Sequence, residues 1–181
     1  MPVLIEALSV VIRVDRLQAR FPGGWLGFQL QAMHPSFCAD GEVVRLGFMH
    51  PDDVRNLVSD LEAAGLTYVV EDAAGRRAED LVVVDQHAGP MVDANWLEFR
   101  RVDFAPDGSQ PVATARLKDG VETKTVFPPG WRWEGSMSEK SEFVPTEKAD
   151  ELVEFVRTEG GIDVYRDKAT GELRYVGRRR P

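Results

Sequence analysis

Cysteine is nearly absent from this chain of 181 residues, which holds only Cys38. A single cysteine cannot form an internal disulfide. The first residues combine an apolar run with Glu6 and lack the basic leader of a secretory signal. The apolar runs also fall short of the roughly 20 residues that a membrane-spanning helix needs. We therefore expect a soluble, cytoplasmic protein that does not enter a membrane.

The short motifs that specify a reaction are also missing. The sequence has no CxxC pair, no HExxH, no GxSxG and no Walker loop. The glycine-rich stretch PGGWLG at residues 22–27 follows a predicted helix rather than a strand, so it indicates a helix stop and turn rather than a phosphate cradle. No set of acid, base and nucleophile can be assembled from motifs, and this favours a protein without catalysis of its own.

Basic residues are outnumbered, with 22 Lys and Arg against 30 Asp and Glu, which gives a net charge of −8. This balance argues against a nucleic-acid partner because the phosphate backbone would be repelled. Residues 161–181 differ, with six Lys and Arg against three Asp and Glu, and end in GRRRP. This tail could meet an acidic partner, although a solubilising end is the simpler interpretation. An apolar content of 43% and four tryptophans are typical of a folded chain.

Up to residue 72, the predicted elements follow the order strand, helix, strand, strand, helix, strand. Residues 3–12 predict a buried strand and residues 14–21 a short helix. Residues 37–46 predict a hairpin with a two-residue turn at Asp40-Gly41, and residues 51–65 predict an amphipathic helix that leads into a strand, TYVVED. This is the ferredoxin-like order, a four-stranded antiparallel sheet with two helices on one face.

The strand DLVVVD follows, and the second half completes an α+β protein. Residues 96–104, 111–117 and 121–127 predict a three-stranded meander. A helix over residues 146–157, capped by Thr146, and a hairpin over residues 162–177 come next.

The two halves, residues 1–90 and 91–181, also resemble each other. A shift of 71 positions gives six identities in 22 positions, and a shift of 95 gives five in 19, against about one expected in each. We interpret the chain as two sheet-plus-helix halves packed together within one compact domain, and the identities predict that the halves arose by duplication. The second half carries an inserted loop at about residues 118–145.

The lone Cys38 lies on the first strand of the predicted hairpin. No other potential metal ligand is expected close to it on this strand. In a straight strand His34 lies roughly 13 Å away, too far for a shared zinc ion, and His50 follows the far end of the second strand. A metal site formed by His34, His50 and His87 is an alternative that the spacing does not favour. We assign no metal and no cofactor. Strand alternation places the hairpin side chains on two faces, Phe37, Val44, Leu46 and Phe48 on one and Cys38, Val43 and Arg45 on the other.

The candidate binding residues lie in two places. The segment FPPGWRWEGSMSEKSEFVP, residues 127–145, is long and aperiodic, as functional loops often are. Its Trp131, Arg132 and Trp133 could bind a flat ligand or a protein partner, unless the rings fold back onto the sheet. Asp85 and His87 follow a strand and could provide a general base.

The stretch PDDVRNLVSDLEAAGLTYVVED, residues 51–72, resembles the helix-then-strand segment of glyoxalase-like proteins of the vicinal oxygen chelate type. The resemblance implies paired βαβββ modules around a metal, although the early strand ALSVVIRV lacks the histidine that this family commonly places there. We expect a non-catalytic binding or protein-interaction module. The alternative is a small-molecule enzyme or binder of the glyoxalase-like paired-module type, with a pocket between the halves. The partner is a protein or a small molecule, and a homodimer is left open.

Overall fold

The computed structural model describes the chain except for residues 74, 122–123, 141–152, 160–161, 169, 172 and 178–181. The helices are α1 (Val14–Arg20), α2 (Gly24–Gln31), α3 (Pro51–Ala63) and α4 (Met137–Lys140). The strands are β1 (Val3–Ile5), β2 (Leu8–Arg13), β3 (Cys38–Ala39), β4 (Val43–Phe48), β5 (Val69–Asp72), β6 (Gly75–Ala78), β7 (Leu81–Asp85), β8 (Gly89–Pro90), β9 (Leu97–Asp103), β10 (Pro111–Leu117), β11 (Val153–Glu159), β12 (Ile162–Asp167) and β13 (Leu173–Gly177). The protein is therefore of the predicted α+β class.

A five-stranded antiparallel sheet forms the centre, in the order β3-β4-β2-β7-β8. On one face Val10 of β2 packs in a core with Leu17 of α1, Phe28 of α2 and Leu61 of α3. On the other face Val11 packs in a second core with residues of the sheet β1-β10-β9. Because β2 is covered on both faces, its sequence LSVVIR is mostly apolar rather than alternating.

The predicted strand over residues 3–12 divides at Glu6 and Ala7. β1 pairs with β10 in the outer sheet, whereas β2 pairs with β4 and β7 in the central sheet. Ala7 has a φ of 44°, a conformation that non-glycine residues adopt infrequently. Its N–H donates to the side-chain oxygen of Gln86 at 2.6 Å, and its carbonyl accepts from the Gln86 N–H at 2.9 Å. The chain therefore changes sheets at Glu6, which this crossing leaves buried.

The predicted hairpin forms, but with a longer turn. Ala39 pairs with Val44, so four residues lie between this last pair instead of the two of an Asp-Gly turn. Asp40 stabilises it by accepting hydrogen bonds from the N–H groups of Glu42 and Val43, both at 2.8 Å. The register shift equals two residues, and because side chains alternate with a period of two, the predicted faces are kept. Phe37, Val44, Leu46 and Phe48 pack in the core beside the helices, whereas Cys38 and Val43 pack in the other core.

The sheet differs from the ferredoxin-like order. The predicted fourth strand, β5, pairs only with β6 in a separate two-stranded sheet. The position beside β2 is taken instead by β7.

The second half departs from the predicted duplication. Residues 146–152 of the predicted helix lie outside the described residues, and from Val153 onwards the chain forms β11 rather than a helix. Trp25 lies in helix α2, whereas Trp96, aligned with it in sequence, immediately precedes strand β9. β9, β10 and the final hairpin form as predicted, but β1 takes the place predicted for a third meander strand.

Within the part of the chain that the structure describes, no helix is long and apolar enough to span a membrane.

Candidate functional site

A buried ion pair marks the point where β1 ends and β4 passes through the core. The Nη2 of Arg45 lies 3.0 Å from Oε2 of Glu6, and the two residues are 0% and 2% exposed. Burying two charges is costly unless each is paired and its remaining polar atoms are hydrogen-bonded. The surroundings of this pair meet that requirement.

Two serines complete the coordination of the guanidinium. Its Nε donates to Ser9 Oγ at 3.1 Å, and its Nη1 donates to the carbonyl of Ser36 at 2.7 Å. The Ser36 side chain links the turn before β3 to β4, since its Oγ donates to the Gly47 carbonyl at 3.0 Å and accepts from the Gly47 N–H at 2.8 Å. Arg45 is thus held from three directions and acts as a fixed positive charge behind Glu6.

The second carboxylate oxygen of Glu6 binds the segment at residues 127–140, which we name the aromatic loop. The indole N–H of Trp131 donates to Glu6 Oε1 at 2.9 Å. The N–H and Oγ of Ser138 donate to the same oxygen at 3.3 and 3.2 Å. A hydrogen bond to a charged acceptor stabilises more than a neutral one, about 1.5–3 kcal/mol. Glu6 therefore fastens both ends of the aromatic loop to the protein.

Gly47 makes room for this arrangement. A Cβ at this position would lie 2.9 Å from the methyl carbon of Met137 and 3.0 Å from the guanidinium carbon of Arg45. Both distances are shorter than ordinary van der Waals contact, and Arg45 cannot move aside without losing its partners. A glycine here allows the aromatic loop to pack directly over the ion pair.

An aromatic patch is formed where the loop meets the end of β9, and we define it as Phe104, Phe127 and Trp131. The Phe104 ring lies 5.4 Å from that of Phe127 and 5.1 Å from that of Trp131, both edge to face, and the Phe127 and Trp131 centroids are 4.7 Å apart. Such ring geometries stabilise beyond area burial alone. Phe104 is nevertheless 49% exposed. The patch is therefore a packed cluster that exposes mainly Phe104 to solvent, since Phe127 and Trp131 are partly buried.

The sequence-predicted residues of the loop occupy different environments. Trp131 is partly buried and bound to Glu6, Arg132 is exposed, and Trp133 is partly buried. The carbonyl of Trp133 accepts the Ser136 N–H at 3.0 Å, which closes a turn before α4. Of the two tryptophans, Trp131 is the one that folds back onto the ion pair.

Asp85 is the last residue of β7, and His87 lies in the turn that leads to β8. The Oδ1 of Asp85 accepts the N–H groups of His87 and Ala88, each at 2.7 Å, and so shapes that turn. Gln86 links it to the aromatic loop, because its Nε2 lies 3.4 Å from the Ser138 carbonyl and 3.3 Å from Nε2 of His87. The structure thus places this turn beside the loop.

The histidines do not form a metal centre within the described residues, where no group of three or more His, Cys, Asp or Glu side chains is placed to hold an ion. His34 instead contacts Ser36, with Nδ1 2.7 Å from its Oγ, and its ring packs 4.9 Å from that of Phe48. Burial lowers the pKa of His34, the Arg45 guanidinium lowers it further, and Asp53 acts in the opposite direction.

Cys38 is a free, buried cysteine opposite Arg45 in the sheet. Burial raises the pKa of its thiol to about 11, although Arg45 acts in the opposite direction. A thiol kept protonated in this way is a weak nucleophile and a poor metal ligand. The geometry agrees with a packing role for Cys38.

Comparison with known proteins leaves the site to be interpreted from its own geometry. No family model matches the chain, and neither a curated protein nor a solved structure is significantly similar to it.

Motif searches missed the residues at the centre of this site, Glu6, Arg45 and Ser138. A signal was nevertheless present for two of them. Glu6 interrupts the run VLIEALSVVI and Arg45 interrupts VVRLGF, and a charge inside a strand that is otherwise apolar indicates a buried partner of opposite sign. The role of Ser138 had no such signal, because serine is common in loops.

Proposed function

We propose that this protein is a non-catalytic binding module that holds a protein partner against the aromatic patch, with the exposed Arg132 beside it. The observation that carries the proposal is the hydrogen bond from Trp131 to the buried Glu6, which orders the patch before any partner arrives. Rings that are fixed in advance lose little conformational entropy on binding. Tryptophan and arginine are also the side chains most enriched among residues that dominate interface energies.

Binding rather than catalysis is supported by how the polar atoms are used. Both carboxylate oxygens of Glu6 and three guanidinium nitrogens of Arg45 are already engaged in bonds within the protein. A general base needs an oxygen or nitrogen available to the substrate proton. These groups serve instead to position the aromatic loop.

A protein partner is favoured over a small molecule because Phe104 of the patch is 49% exposed. The three rings are not among the residues that line a cavity of about 370 Å³ elsewhere on the protein. That cavity is lined by Met1, Asp40, Glu42, Asp119, Gly120 and Val121. Small ligands usually bind in apolar concave pockets, whereas half-exposed aromatic side chains are typical of protein interfaces.

The test compares two phenylalanines of similar exposure. Phe104 is 49% exposed in the patch and Phe155 is 53% exposed in β11, where its ring contacts Tyr165. A protein captured by the wild-type chain from an extract of the source cells should be purified and titrated against Phe104→Ala and Phe155→Ala. We expect Phe104→Ala to weaken binding at least tenfold and Phe155→Ala to leave it within about twofold. Equal affinities for the two variants would contradict the proposal.

A small-molecule binder is the second candidate, because Gln86 brings His87 next to the aromatic loop. Metal analysis of untagged protein tests it. Near-stoichiometric zinc, iron or manganese that is lost in His87→Gln would favour this candidate.

A further inference from the structure

The sequence around α2 is the longest stretch of this chain without a charged side chain. From Phe21 to Ala39 there are 19 consecutive residues without Asp, Glu, Lys or Arg, whereas the average of 29% charged residues would place about five there. This stretch contains α2 and its flanking turns.

Three large apolar side chains of this stretch face solvent. Leu26 is 65% exposed, Leu30 is 72% exposed and Met33 is 89% exposed, whereas Phe28 on the inner side is 2% exposed. Leu26 and Leu30 are four residues apart and therefore share one side of the helix, and Met33 follows just beyond its end. We name these three residues the α2 face. The other exposed side chains of α2, Gln29 and Gln31, are polar but uncharged.

The charge pattern selects the kind of partner. A lipid surface is disfavoured because membrane-bound amphipathic helices carry Lys and Arg on their polar side, and α2 has none. Partners of opposite charge are recognised through charged side chains, and the stretch from Phe21 to Ala39 supplies none. A second copy of this chain, itself at −8, is repelled by most of the surface but meets no charge on this face.

We propose that the α2 face is the interface of a twofold symmetric homodimer. In such a dimer the same surface is used by both copies, so a face without charge is complementary to itself. Antiparallel packing about an axis near Leu30 brings the two Leu30 side chains together. It also brings Leu26 of each copy toward Met33 of the other, because these residues lie on opposite sides of Leu30 along the chain.

The size of the face indicates a weak dimer. α2 has eight residues and is therefore about 12 Å long. Stable interfaces bury about 800 Å² on each partner, and three side chains with their immediate flanks provide on the order of half of that. We therefore expect dissociation in the micromolar range. This interface is separate from the aromatic patch and does not depend on the binding function proposed above.

Cysteine cross-linking tests the position of the axis. Leu30→Cys places one thiol at the dyad, where two copies approach closely enough for a disulfide. Val121→Cys is the matched control, because Val121 is 92% exposed and lies outside the α2 face, and the native Cys38 is buried in both variants. At about 50 µM protein with mild oxidant, we expect the Leu30→Cys dimer to form at least tenfold faster than the Val121→Cys dimer. Equal rates would overturn the proposal.

Sedimentation velocity provides the second test, with circular dichroism to verify folding. The wild-type chain and the patch variant Phe104→Ala should shift from monomer to dimer between about 1 and 200 µM, whereas Leu26→Glu/Leu30→Glu should stay monomeric. A wild-type chain that is monomeric throughout would contradict the proposal, as would a dimer that persists in the double variant. Binding of a wild-type monomer to phosphatidylcholine vesicles, lost in the double variant, would assign the face to a membrane instead.

Discussion

The guanidinium of Arg45 lies 3.0 Å from the carboxylate of Glu6 although 39 residues separate them in the chain, and neither side chain is accessible to water. This pair connects the central sheet to the aromatic loop, because Glu6 also accepts the indole N–H of Trp131. The ion pair therefore has two structural roles. It neutralises a charge in the core, and it holds the aromatic loop in place at the surface.

Removing one partner of this pair should cost more stability than removing both. Arg45→Met leaves the Glu6 carboxylate buried without a counter-charge, and we expect the free energy of unfolding to fall by about 3–5 kcal/mol. Adding Glu6→Gln should recover part of that loss, because no charge is then buried. Urea denaturation of the three proteins measures this. As a control, Arg55→Met removes an exposed arginine paired with Asp52 and should change stability by less than about 1 kcal/mol. Equal losses for the single and double variants would contradict the expectation.

The two tryptophans of the aromatic loop should differ in their contribution to stability. Trp131→Phe keeps an aromatic ring but removes the donor to Glu6, with an expected loss of about 1.5–3 kcal/mol. Trp133→Phe, in a ring with no such bond to Glu6, should cost less than about 1 kcal/mol. Thermal and urea unfolding of both variants measure the difference. A larger loss for Trp133→Phe would show that the loop is held by a different contact.

His34 should make the protein less stable in mild acid. Burial lowers its pKa below the usual 6.5, so between those two values the unfolded chain binds more protons than the folded one. Stability is therefore complete above about pH 6.5 and decreases as the pH falls through the lowered pKa of the folded state. His34→Gln should flatten this part of the profile relative to the wild-type chain. Unfolding free energies between about pH 4.5 and 8 decide the matter, and an unchanged slope in His34→Gln would refute the assignment.

Cys38 should react slowly with thiol reagents in the folded protein. Its thiol is buried and has a pKa raised to about 11, so the reactive thiolate is scarce at pH 8. We expect labelling by a chromogenic disulfide reagent to be at least a hundredfold slower than in about 6 M urea. The exposed thiol of Val121→Cys provides the reference for fast labelling in the folded state. Comparable rates for the two thiols would show that the core around Cys38 opens readily.

Local patterns in the sequence were sufficient to predict the α+β class, the helices α1 and α3, and most of the strands that lie in hairpins. The faces of the first hairpin were also predictable, even though its turn was two residues longer than expected. An even register shift preserves which side each residue faces, since the strand period is two. The prediction of a helix at residues 146–157 was wrong from Val153 onwards, where the chain forms β11. Helical periodicity in a short segment does not outweigh the pairing of β11 with β12.

The sequence by itself determined the α+β class, the apolar content of β2 and the presence of charges inside strands. Only the tertiary structure decided that Glu6 faces Arg45, that Trp131 and Ser138 share one carboxylate oxygen, and that Leu26 and Leu30 are left uncovered. The physical reason is that periodicity reports how neighbouring residues along the chain are arranged. These contacts depend instead on which sheet β1 joins and where the aromatic loop returns, and such choices follow from the free energy of the whole packed core.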